Sequence, residues 1–359
     1  MKRSLLLVLA AVLVLAVAAL YWFTRPPPVL TVTTWDSPYG RAQTAAQIRA
    51  FGARQRVDAR IARWDGDLKA LEAAVTARQY PTDVLDFTLP AAAKACRDGL
   101  LEKLDTGSLP DGADGTAAAR DFIPGALGPC WVGGVAQSQV LLHAPGLARQ
   151  PATLADFFDT RRFPGRRALS RTSPRFTLEM ALLADGLTPA DIYRTLETPE
   201  GLARAFAKLA SIRPIWSIDA VGAMRWVTNG QAVMTAALNT DVTDNPEFPL
   251  GIIWDHQVYV LNVFAIPFAN PNKALAMDFI RFATGSEPLG ALASRVPLGP
   301  ARRSALAFVG DNPDTRRPMR PILPTAPENF RHAFALDADW WQTHEADILP
   351  RWQAFVMRR

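Results

Sequence analysis

The sequence lacks the short motifs that mark the common catalytic and nucleotide-binding sites. It contains no Gly-rich phosphate loop, no G-x-S-x-G turn and no H-E-x-x-H pair. Histidine is scarce as well, and no two of the four stand at the spacing of metal ligands: His143, His256, His332 and His344. A hydrolase, which can assemble its triad across a fold, is not excluded but has no support. We therefore expect no enzyme activity, no bound metal and no other cofactor.

Asp255 and His256 are adjacent, which would suit a catalytic pair in which the acid orients the histidine. They lie in a strand-like run, however, and neighbouring residues on a strand point to opposite faces. We therefore expect that these two side chains do not act together.

Cysteine is nearly absent and charge is nearly balanced. The two cysteines have no histidine nearby, which makes a poor zinc site. The formal net charge is only +5, and the basic residues are mostly scattered single arginines. This excess is too small to indicate a nucleic-acid-binding protein.

One long apolar run is present, at the N-terminus. Lys2 and Arg3 precede 19 apolar residues, from Leu5 to Phe23, which is the pattern of an export signal. As a helix the run would be roughly 28 Å long, close to the thickness of a bilayer core, so it could also stay as an inner-membrane anchor. Both outcomes remain open. We predict that residues 1–28 are a signal peptide or anchor ending in a stiff triproline spacer, and that the folded part lies in the periplasm.

The rest of the chain reads as an α/β protein. Strand-like and helix-like patterns alternate from Leu30 to Phe87, in the order strand, helix, strand, helix, strand. Such alternation predicts parallel sheets with helices on their faces. A chain of 359 residues is also long enough to divide into two lobes.

Tryptophan is abundant, with ten residues, and several follow predicted strands. Strand ends in open parallel sheets line the ligand crevice. Aromatic faces there stack on flat solutes or hold cationic groups. Trp35 is the strongest candidate, because the turn residues directly after it place it at a strand end.

Several stretches together resemble one family, over about Leu30 to Leu306. They include "TTWDSPYG", "YPTDVLDFTLP", "CRDGLLEKLD", "DFIPGALGPCWVGGVAQSQVLLHAP", "ATLADFFDTRRFPGRRALS", "TNGQAVM" and "VFAIPFANPNKALAMDFIRFATGSE". In order and spacing they resemble the solute-binding proteins of ABC importers, in the spermidine and putrescine branch of the type II periplasmic binding fold.

The resemblance implies two lobes, each a mostly parallel sheet flanked by helices, that close by hinge motion on a ligand cleft between them. Lobe 1 would hold residues 29–135 with 262–306, and lobe 2 residues 136–261 with 307–359. The implied function is to capture a small polar solute in the periplasm and deliver it to a permease with its ATPase. A membrane-tethered ligand sensor and an enzyme on the same fold are the alternatives.

The resemblance also implies a set of site residues. Trp35 would pack on the solute, Asp36 would take an amino group, and Thr88 corresponds to a small hydroxyl residue after the third strand. Cys96 and Cys130 lie in two matched segments of lobe 1 and would form a disulfide. The full predicted ligand-binding set is Trp35, Asp36, Tyr39, Asp86, Thr88, Trp131, Ser173, Arg175, Trp216, Asn239, Tyr259 and Asn262.

The sequence departs from the family where a polyamine would need carboxylates. Acidic family positions are occupied here by Thr172, Ser173 and Asn262. Buried ammonium groups are costly without such partners, although Asp36, Asp86, Asp219 and Asp241 could replace them. Arg171 and Arg175 at a predicted helix start favour an anion instead. We therefore expect a small zwitterion, or a carboxylated or phosphorylated solute, with a polyamine as the rival.

Overall fold

The computed structural model describes residues 26–63 and 66–357. The apolar run predicted as a signal or anchor lies outside these residues, and Pro26, Pro27 and Pro28 are exposed ahead of the first strand. Within the described ranges, no helix has both the length and the apolar character needed to cross a membrane.

The first part of the chain alternates strands and helices, as the sequence pattern predicts. Its elements are β1 (Val29–Thr34), α1 (Pro38–Gln43), a π-helical turn (Thr44–Ile48), α2 (Arg49–Gln55), β2 (Asp58–Arg63), α3 (Leu68–Ala77), β3 (Leu85–Thr88) and α4 (Leu89–Arg97). β1 and β2 pair in parallel over their whole length, and a parallel bridge between Val32 and Val84 connects β1 towards β3. The parallel arrangement brings the C-terminal ends of β1 and β3 to the same edge.

The middle of the chain repeats this layout with shorter strands. Its elements are α5 (Ala118–Asp121), β4 (Val132–His143), α6 (Leu154–Phe158), β5 (Ala168–Ser170), α7 (Thr177–Ala184), α8 (Ile192–Leu196), α9 (Pro199–Ser211), β6 (Ile215–Ser217), α10 (Ala220–Thr228), β7 (Met234–Leu238) and α11 (Asn239–Thr243). β5 and β6 are parallel, and a parallel bridge between Arg167 and Met234 leads to β7. Thr153 caps α6 with a capping box that includes Asp156.

Two long strands connect the two parts. β8 (Gly251–Ala265) pairs antiparallel with β3 and with β4, and β4 pairs antiparallel with β7. The remaining elements are α12 (Lys273–Ala283), α13 (Ser286–Ala293), β9 (Gly299–Pro300), β10 (Phe334–Ala335) and α14 (Ala338–Val356). The outer strands of each part are therefore parallel, while the crossing strands β4 and β8 are antiparallel to each other and to β7 and β3, and β10 adds a short parallel pair to β8. This is the two-part α/β architecture that the sequence predicts.

The buried apolar side chains form separate cores. One large core combines residues from Leu30 to Ala136 with residues from Tyr259 to Ala301. A second combines residues from Leu141 to Val258 with the C-terminal segment from Phe334 to Val356. The predicted lobe boundaries follow the same division of the chain and stay a prediction.

The C-terminal helix packs through its tryptophans. Trp341 and Trp352 are fully buried in the second core. The same helix contacts α4, where Gln342 Nε2 donates to the carbonyl of Pro90 at 2.7 Å and Asp339 pairs with Arg97. α14 therefore links the second core to an element of the first.

The disulfide prediction is confirmed. Cys96 and Cys130 are bonded, with their Cα atoms 5.9 Å apart, and close a sequence separation of 34 residues. The bond joins the end of α4 to the segment before β4. In the chain-entropy estimate a loop of this length stabilises the fold by about 3–4 kcal/mol.

The prediction that Asp255 and His256 point to opposite faces of their strand is wrong. His256 has a φ of 54°, a left-handed conformation that interrupts the alternation of β8. The β4–β8 register also shifts in this region, between Gln139 and Leu141. As a result, His256 Nδ1 lies 2.9 Å from Asp255 Oδ2.

Candidate functional site

The turn after β1 holds Trp35 at the edge of the sheet. Ser37 caps α1 by accepting a hydrogen bond from the amide of Gly40 at 3.2 Å, and Pro38 begins the helix. Gly40 is required here, because a Cβ at this position would lie 1.8 Å from the carbonyl oxygen of Trp35. The tight turn therefore presents the Trp35 side chain to a cavity beside the crossing strands.

This cavity has a volume of about 330 Å³, which suits a small solute. Its walls come from the end of β1, from the crossing strands, from α11 and from the segment before β9. The lining residues are Trp35, Ser37, Pro38, Tyr39, Thr88, Val135, Gln137, Thr240, Asp244, Asn262, Val296, Pro297 and Leu298. The predicted residues Trp35, Tyr39, Thr88 and Asn262 are thus brought together.

A buried carboxylate lies directly behind this wall. Asp86 is 1% exposed, and its Oδ2 accepts hydrogen bonds from the hydroxyl of Tyr39 and from Nε2 of Gln43, both at 2.6 Å. Asn262 Nδ2 lies 3.5 Å from the other oxygen, opposite Thr88 in the β3–β8 register. Trp35 Nε1 is buried without a hydrogen bond of normal geometry, although it points close enough to Asp86 to favour the charged form of that carboxyl and so lower its pKa.

Burial dominates the electrostatics of this group. Desolvation raises the pKa of Asp86 from 3.8 to about 6, against the opposing effect of the hydrogen bonds from Tyr39, Gln43, Trp35 and Asn262. The pKa of Tyr39 is raised well above 10 by burial and by the neighbouring carboxylate. Tyr39 therefore stays neutral and donates, while Asp86 is an ionisable acid that lacks a cationic partner among the contacts of its side chain.

The facing wall adds a second acid. Asp244, at the end of α11, lines the cavity, and burial raises its pKa while Arg317 lowers it. No lysine or arginine among the described residues lines this cavity. The cavity is consequently acidic and aromatic, a combination that favours a cationic group.

A second cavity of about 330 Å³ lies beside the first, further along β4 and at the junction of β7 with α11. Gln139 follows Gln137 by two positions on β4, so it lies on the same face of that strand. This cavity is lined by hydroxyl groups and by both signs of charge: Gln139, Leu169, Ser170, Thr172, Ser173, Arg175, Phe176, Thr177, Asp219, Ala220, Ala236, Leu238 and Asp241. Among these are the predicted residues Ser173 and Arg175.

Arg175 is not a free cation. Its guanidinium donates from Nε to Oε1 of Glu345 at 2.8 Å and also contacts Oε2, and it lies over the ring of Trp341. Arg171 is exposed, and its backbone carbonyl accepts from Trp352. The anion preference expected from these arginines is therefore reduced at Arg175 by its carboxylate partner.

Besides Asp86, which lies behind the wall of the first cavity, five predicted residues lie outside both cavities. The side chain of Asp36 is 67% exposed and pairs with Arg63 at 3.0 Å. Trp131 donates to the carbonyl of Gly125 and packs on the first core. The other three have structural partners: Trp216 packs on Trp352 and Phe355, Tyr259 donates to the carbonyl of Pro124, and Asn239 bonds the amide of Ser138 and the carbonyl of Pro297.

Sequence reasoning missed several residues of the cavity. Gln43 lies four positions after Tyr39 on a helix, and this spacing could have indicated a shared face. Gln137, Thr240 and Asp244 carry no such signal, because the pairing of β4 with β7 and β8 brings them to the cavity. The apolar segment Val296–Leu298 also reaches it only through the tertiary fold.

Two α/β parts joined by long crossing strands around a solute-sized cavity define a solute-binding protein of the periplasmic type. Residues 46–317 match the sequence profile of the bacterial extracellular solute-binding protein family, and the chain belongs to that family. It is 33% identical to the gamma-aminobutyric acid-binding protein of Pseudomonas aeruginosa over 334 aligned residues. The aligned region covers 92% of this chain and 91% of that protein.

Solved structures agree on the fold. An ABC transporter substrate-binding protein from Bradyrhizobium japonicum is 23% identical, with a TM-score of 0.71 over 92% of this chain and 100% of its own. The Atu4243–GABA receptor is 25% identical, with a TM-score of 0.70, and the match covers 92% of this chain and 98% of the receptor chain. The chain is thus an extracellular solute-binding protein, as predicted, and the family and the Pseudomonas aeruginosa relative are binding proteins and not enzymes. The polyamine branch itself is not specifically supported.

Proposed function

We propose that the protein captures a small zwitterion with an amino group, of the γ-aminobutyrate class, for uptake by an ABC importer. The observation that carries this proposal is the acidic, aromatic cavity at Trp35, which Asp244 lines and Asp86 backs. Two similar proteins are named for γ-aminobutyrate, which supports the same class of solute.

The amino end fits the cavity at Trp35. A desolvated ammonium group costs several kcal/mol unless it meets negative charge and hydrogen-bond acceptors. Asp244 supplies a carboxylate at the wall, and the aromatic face of Trp35 contributes a cation–π contact of about 2 kcal/mol when water is excluded. Asp86 adds negative charge from behind Tyr39 and Asn262.

The carboxylate end fits the neighbouring cavity. Ser173 and Thr177 bring hydroxyl groups to the start of α7, and the free backbone N–H groups at a helix N-terminus favour an anion. Arg175 lies at the same wall, with Glu345 behind it. A solute with opposite charges at its two ends would therefore match the charges of the two cavities.

Calorimetric titration of the purified protein tests the proposal. We expect micromolar or tighter binding of γ-aminobutyrate, and binding at least about tenfold weaker for butyrate and for butylamine, which each lack one charged end. Micromolar binding of putrescine or spermidine without binding of γ-aminobutyrate would favour the polyamine rival. Binding of none of these compounds would refute the proposed solute class.

A pair of variants tests the carboxylate end. Arg175→Gln should weaken γ-aminobutyrate binding by about tenfold or more and leave butylamine binding unchanged. Glu345→Gln is the matched control, because it breaks the same ion pair but keeps the guanidinium. Equal effects of both variants on γ-aminobutyrate would mean that the ion pair, and not the cation, supports the site.

For the finer aspects of delivery, we propose that residues 1–28 act as a signal or anchor and that an ATPase drives the partner permease. Retention of the apolar run would favour the membrane-tethered sensor as a second role. Mass spectrometry of the N-terminus of the exported protein distinguishes the two, because cleavage within or after the apolar run leaves too few apolar residues to span a bilayer and rules out the tether.

A further inference from the structure

A cluster of two histidines and one aspartate lies outside the two cavities. Asp255 uses one oxygen for each imidazole: Oδ2 lies 2.9 Å from His256 Nδ1, and Oδ1 lies 2.7 Å from His332 Nδ1. The two rings are 5.1 Å apart between centroids, and one ligand atom from each residue falls within 4.8 Å of the others. Asp255 and His256 are half-buried and His332 is exposed, so solvent reaches the group.

The left-handed backbone at His256 assembles this cluster. A regular strand would send Asp255 and His256 to opposite faces, and the φ of 54° at His256 turns both towards His332, 76 residues further along the chain. Strained backbone at a non-glycine residue often accompanies a functional site. His256 Nδ1 is buried and makes no hydrogen bond of normal geometry, although it lies 2.9 Å from a carboxylate oxygen.

We propose that Asp255, His256 and His332 form a binding site for a divalent transition-metal ion, with Zn²⁺ as the best match. Two imidazoles and one carboxylate are a common zinc ligand set, and a water completes the tetrahedron. Donor atoms about 2.1 Å from a tetrahedral ion lie about 3.4 Å from one another. One ligand atom from each of the three residues already lies within 4.8 Å of the others, so the side chains would have to close in by about 1 Å to bind the ion. The amide of Leu154 donates to Asp255 Oδ2 at 2.9 Å and fixes the carboxylate from outside.

A metal here would join two separate segments, and the hydrogen bond from Leu154 to Asp255 ties a third segment to them. Asp255 and His256 belong to β8, His332 precedes β10, and Leu154 begins α6. The ion would therefore hold the C-terminal segment on the crossing strand. Because the folded chain would bind the ion more tightly than the unfolded chain, Zn²⁺ should raise the melting temperature by about 5 °C at 100-fold excess over its Kd.

Titration of the tag-free protein with Zn²⁺, and with Co²⁺ as a spectroscopic probe, tests the site. We expect one ion per chain with micromolar or tighter affinity, and visible Co²⁺ bands typical of tetrahedral coordination. His332→Gln should weaken binding by about tenfold or more, and because His332 is exposed, the change should leave the fold intact. His256→Asn should also weaken binding by about tenfold or more, because it removes an imidazole ligand. Asparagine is chosen because it tolerates the left-handed conformation at this position.

His344→Gln is the matched control, since His344 stacks on Trp340 away from the cluster. It should leave zinc affinity and the melting shift unchanged. Absence of Zn²⁺ binding at 100-fold excess over the protein, or zinc affinity that survives the combined His256→Asn and His332→Gln changes, would overturn the proposal. Solute binding should be the same in all these variants, which separates this test from that of the proposed solute.

Discussion

Asp86→Asn should make the protein more stable at neutral pH and weaken its binding of amines. Asp86 is buried and ionisable, and its folded-state pKa of about 6 lies above the ordinary value of 3.8. Its charged form is therefore less favourable in the folded chain than in the unfolded chain. Asparagine keeps the shape and an oxygen for the donors Tyr39 and Gln43, but it carries no charge.

The difference between 3.8 and about 6 corresponds to about 3 kcal/mol. Well below pH 3.8 the carboxyl is protonated in both states, so this cost is absent. The cost grows between about pH 4 and pH 6 and is complete above pH 7. In guanidinium denaturation without solute, the variant should exceed the native protein by about 3 kcal/mol at pH 8 and by much less at pH 4.5.

Asp36→Asn is the matched control, because Asp36 is exposed and pairs only with Arg63 at the surface. It should change the free energy of unfolding by less than about 0.5 kcal/mol at either pH. If Asp86→Asn destabilised the protein at pH 8, or if its effect were the same at both pH values, the inference of a costly buried charge would be wrong.

The charge that destabilises the fold should strengthen the binding of amines. An ammonium group favours the ionised form of Asp86, so the affinity of the native protein should fall as the pH drops below about 6, by up to about tenfold per pH unit. The Asp86→Asn protein should bind more weakly at pH 8 and lose this part of the pH dependence. Asp244 is present in both proteins, so the difference between their pH profiles isolates Asp86.

Three further changes test other parts of the structure. Trp35→Ala should lower solute affinity by about tenfold or more by calorimetry, whereas Trp131→Phe, outside the cavity, should leave it unchanged. Reduction of the Cys96–Cys130 bond should lower the free energy of unfolding by about 3–4 kcal/mol, and equal denaturation midpoints with and without reductant would contradict this. Asn239→Ala leaves the buried amide of Ser138 and the buried carbonyl of Pro297 without their partner, so it should lower the free energy of unfolding by about 2–4 kcal/mol. A decrease of less than about 0.5 kcal/mol would contradict this.

Local sequence signals predicted much of the fold. Helix α9, for example, begins at Pro199 and ends at Ser211, and local signals account for it, because Thr198 caps it and an apolar stripe repeats at helical spacing. Short strands such as Ala168–Ser170 and Ile215–Ser217 were missed, since three residues carry too little periodicity. The left-handed conformation of His256 was missed for a related reason, because no glycine or asparagine marks it.

The sequence alone determined that Trp35 ends the first strand, since Ser37, Pro38 and Gly40 force a turn there, and that the chain resembles a solute-binding protein. Only the tertiary structure decided which residues share the site. It turned Asp36 outwards to Arg63, placed Asp86 behind Tyr39, and gave Asn239 and Tyr259 structural partners. The physical reason is that a capping turn depends on neighbours in sequence, whereas a cavity depends on which strands pair and in what register.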